Sequence, residues 1–433
     1  MNNSKRFLFV WWEGGGNMPP ALHVTRQLVA RGHGVHVLGD PVSERDFCEV
    51  GASFAPFRRA PHRVDRKPEG DPLRDWEAKN PKQALAMIRD RLLFGPALGY
   101  AEDTLEQIRL YRPDALAIMD FTFGAMMAAE RANIPAAVVA PHILTYPVRG
   151  RPPFGPGLLP ARNVFERLRD AIISSLSLSE LGKGLTPFNV ARQKLGLDSV
   201  RAVFDQVERM NRILVLTSPA LELPGGPLPE NVRYTGPVLV DPPWAEPWAG
   251  PWPAGDRDPL VLVGFSTTFQ NQQAVVSRVI EALSRLPVRG LVTLGRSLDP
   301  KAFAAPRNVI VCPSAPHSQL LPFAAVMVTH AGHGSVVRAL SHGIPLVCVP
   351  MGRDQNDIAA RVVYHGAGLR VSQAASVNQL TDAVKRALSE EAFRKRAERL
   401  GATIRSDARN STTVTELEQL ASRTDRDLER RVG

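Results

Sequence analysis

Short apolar runs recur along the chain, and between them apolar positions fall at helical spacing. Phe7 to Trp12, Gly34 to Leu38, Ala115 to Met119, Ala136 to Ala140 and Ile213 to Leu216 read as strands of a first unit, with Ile213 to Leu216 its last. Leu260 to Gly264, Gly290 to Leu294, Val309 to Cys312 and Ala324 to Val328 read as strands of a second. Runs this short and this apolar mark strands buried on both faces, as in parallel sheets. The segments Ala21 to Arg31, Gln83 to Phe94, Leu98 to Tyr111 and Asn163 to Leu181 carry helical patterns, as do the stretch that Phe121-Thr122-Phe123-Gly124 leads into, through Glu130, and the stretch ahead of Leu286. Strand and helix in alternation predict two Rossmann-like α/β domains. Phe54 to Pro81, rich in proline and charge, predicts a surface loop, and Arg405 to Arg431 a charged, mostly helical terminus. The expected division is 1–235, a linker over 236–259 with repeated proline and Trp244, Trp248 and Trp252, a second domain over 260–404, and a terminal segment 405–433 packing back toward the first.

Size agrees, because 433 residues exceed one ordinary core. No apolar run reaches the ~20 residues that cross a bilayer. Met1 to Val10 enters a strand without a signal-peptide pattern, and Cys48, Cys312 and Cys348 are few and scattered, so a cytoplasmic protein with reduced thiols is expected. The formal charge of +10 raises a nucleic-acid partner. Its arginines are scattered, with no aromatic-interleaved basic stripe, so the reading is no nucleic acid and attraction toward a small anionic ligand. Asn163 to Leu181 has an apolar side (Phe165, Leu168, Ile172, Ile173, Leu176) suited to membrane or partner contact, and better to lining a substrate cleft.

Candidate chemistry gathers after the strand Ala324 to Val328. His330, Gly332 and Gly334 form a glycine turn, Ser335 is placed to cap the helix that follows, and the unpaired amides of such a turn make an anion site. Phe265-Ser266-Thr267-Thr268 is a second phosphate-competent turn. Ligands of open parallel sheets sit beyond the carboxyl ends of the strands, where Asn17, Asp120 and His142 fall. A dinucleotide fingerprint is incomplete: Gly14 and Gly16 fill two glycine positions, Pro19 the third, and Asp40 lies near where a ribose-binding acid belongs.

With these residues in view, the chain resembles the GT-B glycosyltransferases of the UDP-glycosyltransferase superfamily, most closely the bacterial branch that acts on natural products such as macrolides. Asn17-Met18-Pro19-Pro20 with Arg31-Gly32-His33, Tyr234-Thr235-Gly236-Pro237, Ala315-Pro316-His317, His330 to Ser335 and Asp354-Gln355 match the family's motifs in order. The resemblance implies a cytoplasmic, inverting, metal-independent transfer of a hexose from a UDP- or dTDP-sugar to a hydroxyl, or an amine, on a small, largely apolar acceptor. The nucleotide sugar is then a co-substrate, with no cofactor and no metal. His330, Gly332, His333, Gly334, Ser335, Ser266 and Thr267 would hold the diphosphate, Ala315 and His317 the base, Asp354 and Gln355 the sugar. Gly16, Phe94, Phe121, Phe123, Met126, Tyr146 and Phe154 are the expected acceptor contacts. Asp256-Arg257-Asp258 and Asp425-Arg426-Asp427 imitate the Asp-x-Asp of metal-dependent transferases by chance.

Four positions depart from the family pattern. Asn17 stands at the usual catalytic histidine and cannot take a proton. That leaves Asp120 as base, directly or through water, with Asn17 hydrogen-bonding the acceptor, or else His142, or an acceptor acidic enough to need little help. Arg338 replaces a ribose-reading glutamate of the plant-type pattern, Ser314 a base-stacking tryptophan, and His317 a glutamine. A nucleotide-sugar-binding auxiliary protein that has lost its base is the alternative implied by Asn17, with a dinucleotide enzyme using Gly14 to Gly16 and Asp40 behind it.

Overall fold

The computed structural model describes residues 4–241, 252, 257–295 and 297–432, with side chains up to 422. In the first part of the chain β1 (Arg6–Trp11), β2 (Gly34–Gly39), β3 (Ser53–Pro56), β4 (Ala115–Met119), β5 (Ala136–Ala140), β6 (Arg212–Val215) and β7 (Val232–Tyr234) form one parallel sheet in the order β3-β2-β1-β4-β5-β6-β7. The helices are α1 (Met18–Ala30), α2 (Glu44–Glu49), α3 (Pro81–Ile88), α4 (Ala97–Tyr111), α5 (Phe123–Ala132), α6 (Val164–Gly182), α7 (Leu185–Lys194) and α8 (Asp205–Glu208). A second parallel sheet follows, ordered β10-β9-β8-β11-β12-β13, from β8 (Leu260–Gly264), β9 (Arg289–Thr293), β10 (Val309–Cys312), β11 (Ala324–Thr329), β12 (Leu346–Cys348) and β13 (Gly368–Arg370). Between and after these strands run α9 (Gln273–Ser284), α10 (His317–Leu320), α11 (His333–Ser341), α12 (Gln355–Tyr364), α13 (Val377–Ser389), α14 (Glu391–Arg409) and α15 (Thr413–Val432).

The central strands are buried throughout, which is why their sequences are continuous rather than alternating. Each sheet carries an apolar layer on both faces. Val414, Leu417, Leu420 and Ala421 of α15 belong to a layer of the first sheet, so the chain's last helix closes the core of its first domain. In both sheets the order reverses at one point, between β1 and β4 and between β8 and β11, and loops at such a point diverge to leave a crevice.

Several expectations need correction. β6 is not the first sheet's last strand, because β7 adds to its edge. The predicted loop from Phe54 begins inside β3, a short edge strand whose proline hides its pattern. The helix expected over 83–94 is α3 followed by a π turn, Arg89–Leu93, ended by Gly95, where a Cβ would lie 1.8 Å from the Asp90 carbonyl oxygen. The charged terminus is two helices, α14 and α15, rather than one. Trp244, Trp248 and Asp256 lie outside the described residues, as do the side chains of Asp425-Arg426-Asp427; Trp252 stacks under Arg289, 5.5 Å from guanidinium carbon to ring centre. Cys48 is exposed, Cys312 half-buried and Cys348 buried. Among the described residues no helix is long and apolar enough to cross a membrane.

Candidate active site

β11 delivers Thr329 to the crevice, and Ala331 then takes a left-handed conformation (φ 68°), its N–H donating to Thr329 Oγ1. This reversal starts α11 at His333 with Gly332 as N-cap. Ser335 is therefore inside the first turn rather than the cap expected of it, and its N–H donates back to the Gly332 carbonyl. The opening amides of α11 and the positive end of its dipole face the crevice. The His330 ring lies directly over Gly332, where a Cβ would come within 2.4 Å of Nε2. Its Nδ1 is 3.4 Å from the Gly264 carbonyl at the end of β8, and the ring stacks on Phe265 at 6.2 Å.

Burial pushes the His330 pKa down to about 4, Arg353 adding to the fall and the Gly264 carbonyl opposing it. The imidazole is neutral at pH 7 until an anion arrives. A diphosphate would raise that pKa, so binding takes up a proton at pH values between the free and bound pKa. Titration calorimetry of uridine or thymidine diphosphate in buffers of different ionisation enthalpy should show this uptake near pH 6, fading as pH rises, with affinity falling in parallel.

In the turn after β8, Ser266 Oγ accepts the Thr268 N–H and lies 3.1 Å from Thr268 Oγ1. Thr267 abuts the first domain: Gly15 (φ 78°) comes so near that a Cβ would lie 2.5 Å from Thr267 Oγ1. The loops after β1 and β8 thus touch, and only glycine fits. Ala315 is buried beside Leu320 and Leu321. His317 Nε2 lies 3.1 Å from Thr293 Oγ1, and burial, with Arg338 nearby, pushes its pKa down to about 3.

Two expected donor contacts, His333 and Gln355, are committed within the chain, as is Arg338. His333 turns across the domains, its Nε2 2.8 Å from Thr217 Oγ1, with burial, His142 and Arg361 pushing its pKa down to about 3. Gln355 accepts the Met351 and Gly352 N–H groups and donates to Gln270 Oε1. Arg338, the departure from the ribose-reading acid, donates to the Gly334 carbonyl and to Asp241. Asp354, by contrast, heads α12 without a side-chain capping bond, and burial raises its pKa against the pull of His142.

On the facing side, His142 Nε2 stands 3.3 Å from Asp120 Oδ2, within ion-pairing distance. Both Asp120 oxygens are buried and, among the described residues, receive no hydrogen bond, and the same holds for Thr122 Oγ1, which sequence reasoning missed. Burial disfavours a charged His142, yet Asp120 beside it and Asp354 beyond push its pKa up to about 9, while Nδ1 faces the Ile143 carbonyl at 2.8 Å. His142 is therefore an imidazolium at neutral pH. Phe121 stacks on it at 5.7 Å.

The expectation for Asn17 gives way. Its Oδ1 accepts the Gly14 N–H, and its Nδ2 donates to the Trp12 carbonyl and Met119 Sδ, so it locks the loop after β1 instead of reaching an acceptor. Phe94, Phe123 and Met126 are also not acceptor contacts: they sit in the apolar layer between α4, α5 and α7, with Phe94 5.5 Å from Phe123 and 5.1 Å from Phe188. Tyr146 bonds Glu208 and packs on Phe204, Phe154 is partly exposed, and Gly16 is exposed with open space around it. Asp40 cannot read a ribose. It is buried and accepts the Glu13 and Arg63 N–H groups, with burial pushing its pKa up to about 6.

One cross-domain clasp was invisible in the sequence. Arg353, itself left-handed (φ 56°), makes two bonds to Asp75 of the loop before α3, at 2.7 and 2.9 Å, and a third to Thr268 Oγ1. Arg361 likewise pairs with Glu222, and the Gly155 N–H donates to Asp357. A double-mutant cycle on Arg353→Ala and Asp75→Ala, read by thermal unfolding, should give a coupling of about 1–3 kcal/mol; additive losses would mean the clasp holds nothing.

Residues 277–420 match the family model of the erythromycin biosynthesis protein CIII-like C-terminal domain. The chain is 30% identical over 408 residues to 4'-demethylrebeccamycin synthase of Lentzea aerocolonigenes, covering 91% of this chain and 94% of that protein. Among solved structures, the glycosyltransferase of kitacinnamycin superposes with a TM-score of 0.72 at 21% identity, over 97% of this chain and 100% of the other. The glycosyltransferase VinC, solved in complex with dTDP, superposes at 0.63 and 17% identity, over 96% and 100%. With two facing parallel-sheet domains and a histidine-glycine turn between them, the chain belongs to the bacterial natural-product branch of the UDP-glycosyltransferases and is a glycosyltransferase of the antibiotic-biosynthesis type.

Proposed function

We propose that this protein transfers a hexose, with inversion, from a UDP- or dTDP-sugar to a hydroxyl or amine of a largely apolar acceptor, with Asp120 as general base. The observation that carries this is the buried Asp120 carboxylate: among the described residues nothing donates to it beyond the His142 contact at 3.3 Å, and a buried acceptor with that spare capacity calls for an incoming O–H or N–H. His142, already protonated, is the weaker candidate for base. As an imidazolium it places a positive charge beside Asp120 and faces Asp354, the residue assigned to the sugar.

The acceptor attacks the anomeric carbon from the Asp120 side while the diphosphate leaves toward the His330 turn. The α11 amides and a proton gained by His330 stabilise the developing charge there. Arg338 offers no acid to a ribose 2′-hydroxyl, so thymidine donors suit the site as well as uridine donors, in keeping with the dTDP held by VinC. The linker over 236–259 then joins an acceptor-binding first domain to a donor-binding second one. Incubation with a panel of UDP- and dTDP-hexoses and apolar aglycones tests this, with the product's anomeric coupling read by NMR. Retention of configuration would refute the mechanism. Donor binding without turnover by any pair would favour the nucleotide-sugar-binding partner instead, a reading to which the fully engaged Asn17 lends support.

A further inference from the structure

Helix α6 is built inside out. Val164, Phe165, Leu168, Ile172 and Leu176 are 73, 84, 58, 50 and 66% exposed, a stripe at helical spacing turned to solvent. Its polar residues face inward: Glu180 is buried and accepts from Arg89, and Asp170 and Glu166 are mostly covered, bonded to Arg169 and Arg162. The sequence led us to expect the apolar side to line the substrate cleft, but the described chain places nothing over it.

We propose that a second copy of this chain covers the outer face of α6, the two helices packing antiparallel about a two-fold axis near residue 170. Charge and area favour this occupant. Between Val164 and Ser179 the charges that reach solvent are Arg167 and the partly exposed Arg169, and Arg169 is paired with Asp170, so two copies of a chain of net charge +10 can meet here without strong repulsion. Arg162 and Arg169 are paired with Glu166 and Asp170, which leaves an anionic bilayer little net positive charge on this face beyond Arg167. The exposed side chains offer on the order of 500 Å² of apolar surface, and a symmetric pair doubles that to roughly the ~1,000 Å² at which specific interfaces begin. Ala171, Ser175 and Ser179 lie exposed along one edge, small enough to let two helices approach closely. Being isologous, the contact closes at two copies.

Light scattering on the full chain at tens of micromolar should show a dimer. Phe165→Glu with Ile172→Glu should give a folded monomer whose melting temperature no longer depends on protein concentration, since these side chains stand in solvent within their own chain. In a Cys48→Ser background, which removes the exposed thiol, Leu168→Cys with Ile172→Cys should oxidise to a covalent dimer. A monomeric wild type, a charged variant that still dimerises, or a monomer that pellets with phosphatidylglycerol vesicles would each overturn the proposal, the last in favour of a membrane surface.

Discussion

Replacing Asp120 with asparagine is expected to lower kcat by about 10²–10⁴-fold while leaving donor affinity nearly unchanged. The size follows from the proposed role: a single buried carboxylate would take the acceptor's proton, while Asn17, at the position where the family carries its histidine, is locked to Gly14, Trp12 and Met119. The substitution also removes the charge that holds His142 protonated. Burial then dominates, and the imidazole should titrate well below its present value of about 9, a change visible by NMR. An unchanged kcat would remove Asp120 from the mechanism. A fall in kcat without the shift at His142 would break the pairing on which its role rests.

Gly332→Ala should abolish most nucleoside-diphosphate binding, by about 10–100-fold, without unfolding the domain. Gly332 has φ −63°, so alanine meets no backbone strain there. The obstacle is the His330 ring, whose Nε2 would lie 2.4 Å from the new methyl and must swing away. Losing one charge-assisted hydrogen bond accounts for about 1.5–3 kcal/mol, hence the range. Undiminished affinity with a preserved melting temperature would show that the ring is free to move and that its position over Gly332 does not matter for the ligand.

Much of this was legible in the sequence, for identifiable reasons. β4, β5, β8 and β10 are continuous apolar runs, and their bounds match the structure. β3, β7 and β13 escaped because they are edge strands of three or four residues with partly exposed patterns. The glycine turn between β11 and α11 was readable from the spacing of histidine and glycine, whereas the helix start was placed late because Gly332, not Ser335, caps it. The acceptor side was poorly legible: Phe94, Phe123 and Met126 sit on helix faces where a core residue and a pocket residue look the same. Nothing local announced the clasp, since Arg353 and Asp75 are 278 positions apart and meet only because two domains face each other.

The central claim is that the turn between β11 and α11 grips a sugar-bearing diphosphate. Titration calorimetry of thymidine and uridine diphosphate into wild type and His330→Ala tests it most directly. Binding with proton uptake is expected in the wild type, and in the variant an affinity at least about ten times weaker with the uptake gone. Equal affinity in the two proteins, or binding that takes up the same number of protons in both, would contradict it.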